Sequence, residues 1–253
     1  MSAHIIAVTN QKGGVGKTTT TINVSAGLVN RGAKVLIVDL DPQGNASSGL
    51  GVPKEDTGAK TYDVLCKGLP INQAWRETHI KNLWLLPANS DLAAAEIELS
   101  VMQQREFRLS QAIKDADFDY ILIDCPPSLG LLTINALTSA TSVLIPVQAE
   151  YYALEGLSQL LNTVQAVRAS TNPGIELLGI AITMFDKRNS LSEQVQKELV
   201  GYFGDKLFKT VVPRNVRLAE APSYGRTIFD HDRWSKGAKA YKNLVNEILE
   251  RTT

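Results

Sequence analysis

The chain has 253 residues, 44% of them hydrophobic, and its 26 basic and 26 acidic side chains give a formal net charge of zero. That length and apolar content suit one large α/β domain with a full core, residues 1–253, and exclude a general polycation. Cys66 and Cys125 are too few and too far apart for a disulfide framework or a metal motif. Met1-Ser2-Ala3-His4 runs directly into strand and loop, so no signal peptide is expected, and no apolar run approaches the roughly 20 residues of a membrane span. A cytoplasmic protein is expected.

The apolar run Ile5-Ile6-Ala7-Val8 leads into Gln11-Lys12-Gly13-Gly14-Val15-Gly16-Lys17-Thr18-Thr19, followed by a helical pattern of Ile22, Val24, Leu28 and Val29. Strand, glycine-rich turn and helix form the context of a phosphate-binding loop. Its glycines turn backbone N–H groups towards an anion, and the helix N-terminus adds partial positive charge. Lys17 would then reach the β/γ-phosphates and the Thr18 hydroxyl would bind Mg²⁺. The strict pattern fails at one place, where Gln11 replaces the first glycine and an extra lysine, Lys12, follows. Lys12 reads either as a solvated loop residue or as a group reaching the phosphates of a second subunit.

Val35-Leu36-Ile37-Val38 ends in Asp39-Leu40-Asp41-Pro42-Gln43-Gly44, and such fully apolar strands argue a parallel sheet covered on both faces. Ligands bind beyond the carboxyl ends of these strands, which puts Asp39 and Asp41 beside the phosphate loop. Pro42 and Gly44 suggest a mobile switch, and a helix cap is the local structural reading of Asp41. Beyond it the pattern predicts a solvated loop at Lys54-Glu55-Asp56 and a short helix opened by Thr61. A strand at Leu83-Trp84-Leu85-Leu86 follows, then a helix from Asn89 to about Asp115 whose apolar positions include Ile97.

Tyr120-Ile121-Leu122-Ile123-Asp124 has the Walker B form, four largely apolar residues and then a carboxylate that holds Mg²⁺ directly or through water. Further strands are expected at Ser142–Val147, Leu178–Phe185 and Leu207–Val212, separated by helices. Residues 186–242 hold 12 Lys/Arg against 7 Asp/Glu, a local excess that suggests a basic face and a nucleic-acid footprint.

The loop K-G-G-V-G-K-T-T resembles the ParA/MinD family of Walker-type ATPases, in which the early lysine is the signature and two subunits sandwich two nucleotides. Three further blocks extend the resemblance across essentially the whole chain: D-C-P-P-S-L-G from Asp124, P-V-Q-x-E-Y-x-A-L-E-G from Pro146, and P-R-N-V-R-x-x-E-A-P-S-x-G from Pro213. The last is similar to chromosomal ParA proteins of the Soj type. The resemblance implies a single-domain P-loop NTPase fold, a mostly parallel sheet with helices on both faces. It also implies ATP and Mg²⁺ as cofactors, with nucleotide contacts along Lys12, Gly13, Gly14, Val15, Gly16, Lys17, Thr18 and Thr19. Pro213 and Asn215 are implied at the adenine.

In the same reading Lys12, Lys17 and Asp41 are catalytic, and Thr18, Asp124 and Asp39 hold the metal. The run after Pro146 would lie near a dimer interface. Arg188 and Arg217 would contact DNA without sequence preference, and Arg226 joins them from its charge and position. The implied protein is a nucleoid-associated DNA partition ATPase. Its ATP-bound homodimer holds nonspecific double-stranded DNA until hydrolysis, stimulated by a ParB-like partner, releases it. The alternatives are a cargo positioner using the same chemistry and a membrane-cycling regulator of the MinD type. The Glu247-to-Thr253 ending lacks the basic membrane helix of the latter, and no N-terminal operator-binding extension is expected.

Overall fold

Aliphatic runs too apolar to face water on either side build the centre of the molecule. The computed structural model describes residues 3–53, 56–150 and 153–252. Its first half runs β1 (His4–Val8), α1 (Lys17–Val29), β2 (Val35–Asp39), α2 (Asn45–Gly49), α3 (Thr61–Lys67), β3 (Arg76–Glu77), β4 (Leu83–Leu86), α4 (Leu92–Ser100) and α5 (Arg108–Ile113). The second half runs β5 (Tyr120–Asp124), α6 (Leu131–Ser139), β6 (Ser142–Gln148), α7 (Ala153–Ser170), β7 (Glu176–Phe185), α8 (Ser190–Phe203), β8 (Leu207–Pro213), α9 (Val216–Glu220), α10 (Ile228–Asp232) and α11 (Lys236–Thr252).

The eight strands form one sheet in the order β3-β4-β2-β5-β1-β6-β7-β8. Every pairing is parallel except that of the two-residue edge strand β3 with β4. Side chains alternate across the sheet, as the period of two requires. Leu36 and Val38 of β2 enter the core beneath α3 to α7, while Val35 and Ile37 enter the core beneath α1 and α11. Register then sets the chemistry, because Asp124 lies opposite both Val8 and Asp39. The phosphate loop and two carboxylates therefore leave the sheet side by side at its carboxyl edge.

α11 is a docked helix, with Tyr241, Leu244, Val245 and Ile248 buried. Glu247 accepts from the Lys209 and Thr210 N–H groups of β8, each at 2.8 Å. The Arg251 guanidinium lies 4.0 Å from the Phe208 ring centroid and donates to the Leu178 carbonyl at 2.7 Å.

Three local expectations change. The helix expected from Asn89 to about Asp115 is broken at residues 101–104, where Gln104 takes a φ of 51°. Buried Asn135 explains the break, since its amide donates to Arg105 O at 2.8 Å and its carbonyl accepts from Leu109 N at 3.1 Å. Tertiary anchoring of this kind overrides local propensity. Ile97, within α4 but off the face that buries Leu92, Ala95 and Leu99, is 76% exposed and outside the core. α3 does open with Thr61, as expected, and the Thr61 hydroxyl donates to Asp39 O at 2.8 Å, while Asp63 accepts from Lys60 N at 2.9 Å. Asp56 is no solvated loop residue, because it pairs with Arg76 at 2.7 Å and Lys60 at 3.1 Å. Lys54 and Glu55 of that loop, with Tyr151 and Tyr152 of the run after Pro146, lie outside the described residues.

Candidate nucleotide site and basic face

The phosphate loop is tied on both sides to strands distant in sequence. Asn10 donates to Pro146 O at 2.8 Å and accepts from Lys12 N at 3.0 Å, which ties the loop to β6. The Thr183 hydroxyl at the end of β7 donates to Val15 O at 2.7 Å. Gly14 and Gly16 have φ of 74° and 86°, the left-handed region in which a side chain is strained. Gly16 caps α1 with no side-chain acceptor, and the first turn carries no acid. The N–H groups at this helix start thus remain for an anion.

Lys17 is buried, and among the described residues its ammonium has one hydrogen bond, to Lys12 O at 3.2 Å. Burial holds its pKa below the usual lysine value, against the pull of the nearby Asp124 and Asp41 charges. A buried cation with one neutral acceptor is an unfinished pair, and a phosphate completes it.

Asp124, fully buried, accepts from Thr18 Oγ1 at 2.7 Å and from Thr21 Oγ1 at 3.1 Å. Asp39, in the same row and also buried, accepts from Ser47 Oγ at 2.7 Å, Ser47 N at 2.9 Å and Asp41 N at 3.1 Å. Burial pushes both carboxyl groups up, and Asp39 raises Asp124 further through like charge. Among the described residues no three His, Cys, Asp or Glu side chains form a metal cage. Mg²⁺ beside a nucleotide needs no such cage, since it takes one or two protein oxygens and completes its shell with phosphate and water. The Thr18 hydroxyl and Asp124 fit that set. The oxygens of Asp39 are already committed to holding α2 and the Asp41 backbone.

Asp41 is nearly buried, and its Oδ1 accepts from Gln43 N at 2.9 Å. It does not cap α2, whose N-cap is Gly44. Past α2, Gly51 meets Gly225 backbone to backbone, so that a Cβ on Gly225 would lie 2.9 Å from the Gly51 Cα. The segment leaving Asp41 therefore rests on the segment that carries Arg226.

Lys12 is half-exposed and pairs with Glu150 of its own chain. Gly13 and Gly14 face open space, and Thr19 receives the Asn23 amide on its carbonyl at 2.8 Å. Pro213 ends β8, and Asn215 caps α9 by accepting from Leu218 N at 3.3 Å. Arg188 makes a forked pair with Asp186 at 2.9 and 3.1 Å, which holds the Asp186 carboxyl down at about 2. Arg217 pairs with Glu220 at 2.9 Å and Asp232 at 3.7 Å, whereas Arg226 is exposed with no ion pair among the described residues. The structure adds five cations to Arg188: Lys187, Lys209, Arg214, Lys236 and Lys239 line the same groove. Sequence reasoning missed Asn10, Thr21, Ser47 and Thr183. A threonine at the end of the otherwise apolar β7 is the one local sign of the last.

The profile of a family described as an AAA domain matches residues 3–177. The sporulation initiation inhibitor protein Soj of Bacillus subtilis is 54% identical over 246 residues, covering 96% of this chain and 97% of that protein. The chain belongs to the ParA/MinD family, in its Soj branch. A second ParA relative, the chromosome partitioning protein ParA of Myxococcus xanthus, is 50% identical, covering 99% of this chain and 89% of that protein.

Among solved structures, a Mycobacterium smegmatis protein described as cobyrinic acid a,c-diamide synthase with bound ADP and magnesium superposes with a TM-score of 0.87. It is 37% identical, and 99% of this chain and 95% of that one are covered. The septum site-determining protein MinD of Pyrococcus horikoshii, complexed with Mg-ADP, gives a TM-score of 0.77 at 27% identity, with 97% and 96% covered. The ParA/MinD fold expected from the sequence is thus the fold found, an eight-stranded, mostly parallel sheet.

Proposed function

We propose that the chain is a Mg²⁺-dependent ATPase of DNA partition, which as an ATP-bound homodimer holds double-stranded DNA without sequence preference. The observation that carries the ATPase reading is the buried Lys17 ammonium, short of partners at an uncapped helix start beside the Thr18–Asp124 pair. Loop N–H groups and Lys17 hold the β- and γ-phosphates, while Thr18 and Asp124 hold the cation. Mg²⁺, when bound, neutralises charge on the phosphate oxygens.

The second oxygen of Asp41 orients the attacking water, its first being engaged by Gln43 N. Lys12 exchanges Glu150 for the phosphates of a second subunit, and Pro213 and Asn215 line the adenine end. Water bonds to the γ-phosphorus as the bond to its bridging oxygen breaks, leaving ADP and free phosphate, and departure of that phosphate removes the anion that Lys12 of the other subunit had held.

The groove lined by Lys187, Arg188, Lys209, Arg214, Lys236 and Lys239 supports the DNA reading, and Arg217 and Arg226 are further candidate contacts outside that lining. Phosphate contacts release counterions, so binding weakens steeply with salt. The Soj and ParA relatives at 54% and 50% identity support a partition role, a nucleoid location and a ParB-like partner that stimulates turnover. A cargo positioner working through the same DNA chemistry is the runner-up. Against membrane cycling, the apolar face of α11 is buried.

The test uses Asp41→Ala with ATP and Mg²⁺, read by light scattering and by retention on duplex DNA at low salt. A stable dimer that binds DNA and turns over ATP at least about 100-fold more slowly is expected. Normal turnover would refute the role of Asp41, and a single subunit indifferent to DNA would refute the whole reading.

A further inference from the structure

The corner between α10 and α11 carries a large apolar side chain that nothing in the ATPase reading employs. Trp234 is 84% exposed. Its turn is nevertheless built firmly: Asp232 accepts from Trp234 N at 3.2 Å and, through its carbonyl, from Ser235 N at 3.1 Å. The Arg233 guanidinium lies over the indole, 5.1 Å from the ring centroid. An indole held in water on a rigid turn, with a cation stacked on its face, has the composition of a contact point.

Its surroundings indicate what it contacts. On one side, Lys236 opens α11 and shares the basic groove with Lys187 and Arg188. On the other, a second groove is lined by Arg31, Arg233, Trp234 and Lys242, with Asp230 its one acid. Arg217 reaches the corner through Asp232, and Arg226 immediately precedes the Thr227 that caps α10. The corner is therefore flanked by cations on both sides, a pattern suited to two parallel rows of phosphates.

We propose that Trp234 is a minor-groove contact for duplex DNA. The cations on either side engage the two backbones, and the flat ring enters edge-on between them, against deoxyribose and base edges. The minor groove, about 6 Å wide, admits a ring in that orientation. An apolar wedge there reads no sequence, as nonspecific binding requires. Arg233 orders the ring beforehand and supplies one of the flanking charges. The inference rests on the DNA-binding reading above.

The test titrates full-length Asp41→Ala protein, loaded with ATP and Mg²⁺, with a random-sequence duplex of about 24 base pairs while tryptophan emission is followed. Trp75 and Trp84 are remote reporters, packed edge-on against Phe118 at 5.1 and 5.5 Å. DNA is expected to quench an emission component that is absent in Trp234→Phe. Trp234→Ala is expected to weaken duplex binding roughly tenfold at every salt concentration, because an apolar contact in the groove releases no counterions. Arg233→Ala should also lower the salt slope by about one. Unchanged emission at saturating DNA, or undiminished binding by Trp234→Ala, overturns the proposal while leaving the DNA reading intact. Failure of the parent protein to bind duplex at low salt would instead overturn that reading and this one with it.

Discussion

At the phosphate end of the sheet Lys17 is buried and meets one carbonyl, whereas at the basic face the Arg188 side chain is 89% exposed and already meets Asp186. Both carry one positive charge, yet their settings give that charge different worth. A buried ammonium has lost its water and recovers the loss only when an anion arrives, so one residue can dominate affinity. An exposed guanidinium keeps its water and exchanges one weak pair for another. Its contribution to DNA binding is small, and the face works by number.

Lys17→Ala tests the first half of the comparison and should have the largest effect, a loss of ATP affinity of at least about 100-fold by calorimetry. The double reversal Lys187→Glu with Lys236→Glu tests the second. Duplex affinity should fall on the order of tenfold at low salt, and the salt slope of binding should drop by about two, read by fluorescence anisotropy. A loss as large as that of Lys17→Ala, arising from one exposed cation alone, would break the comparison.

The smallest effect concerns the carboxylates and has the opposite sign. Burial raises the folded-state pKa of Asp39 and Asp124 above the unfolded value of about 4. Groups shifted in this direction cost stability as pH rises from the unfolded value through the raised folded one. Without Mg²⁺ and ATP, Asp124→Asn should therefore raise the melting temperature near neutral pH by about 2–6 °C, and the gain should vanish towards pH 4. The same variant should lose Mg²⁺-dependent ATP binding. An unstabilised variant would show that the Thr18 and Thr21 hydroxyls already offset the buried charge.

The two regions also differ in how far they can be read from the residues alone. The phosphate loop is legible because backbone geometry demands glycine at positive φ and chemistry demands lysine and threonine at fixed spacing, as at Gly16, Lys17 and Thr18. The Walker B carboxylate is legible because a buried strand has to end in it. What ties the loop to its neighbouring strands is not legible, since Asn10 and Thr183 act on partners 136 and 168 positions away. The helix break at Gln104 is hidden for the same reason, its cause lying at Asn135 in α6. On the basic face the charge excess of residues 186–242 was visible, but its grouping was not. Lys209 and Lys236 meet in one groove only because β8 and α11 pack side by side.

The carboxylate of Glu247 has a further consequence. β8 is an outer margin of the sheet, and an outer strand ordinarily offers unpaired donors on which a neighbouring chain could template itself. Here the Lys209 and Thr210 donors are occupied from within the same chain. Copies crowded together on a shared scaffold thus find two donors of this margin already taken, which disfavours adding a strand there.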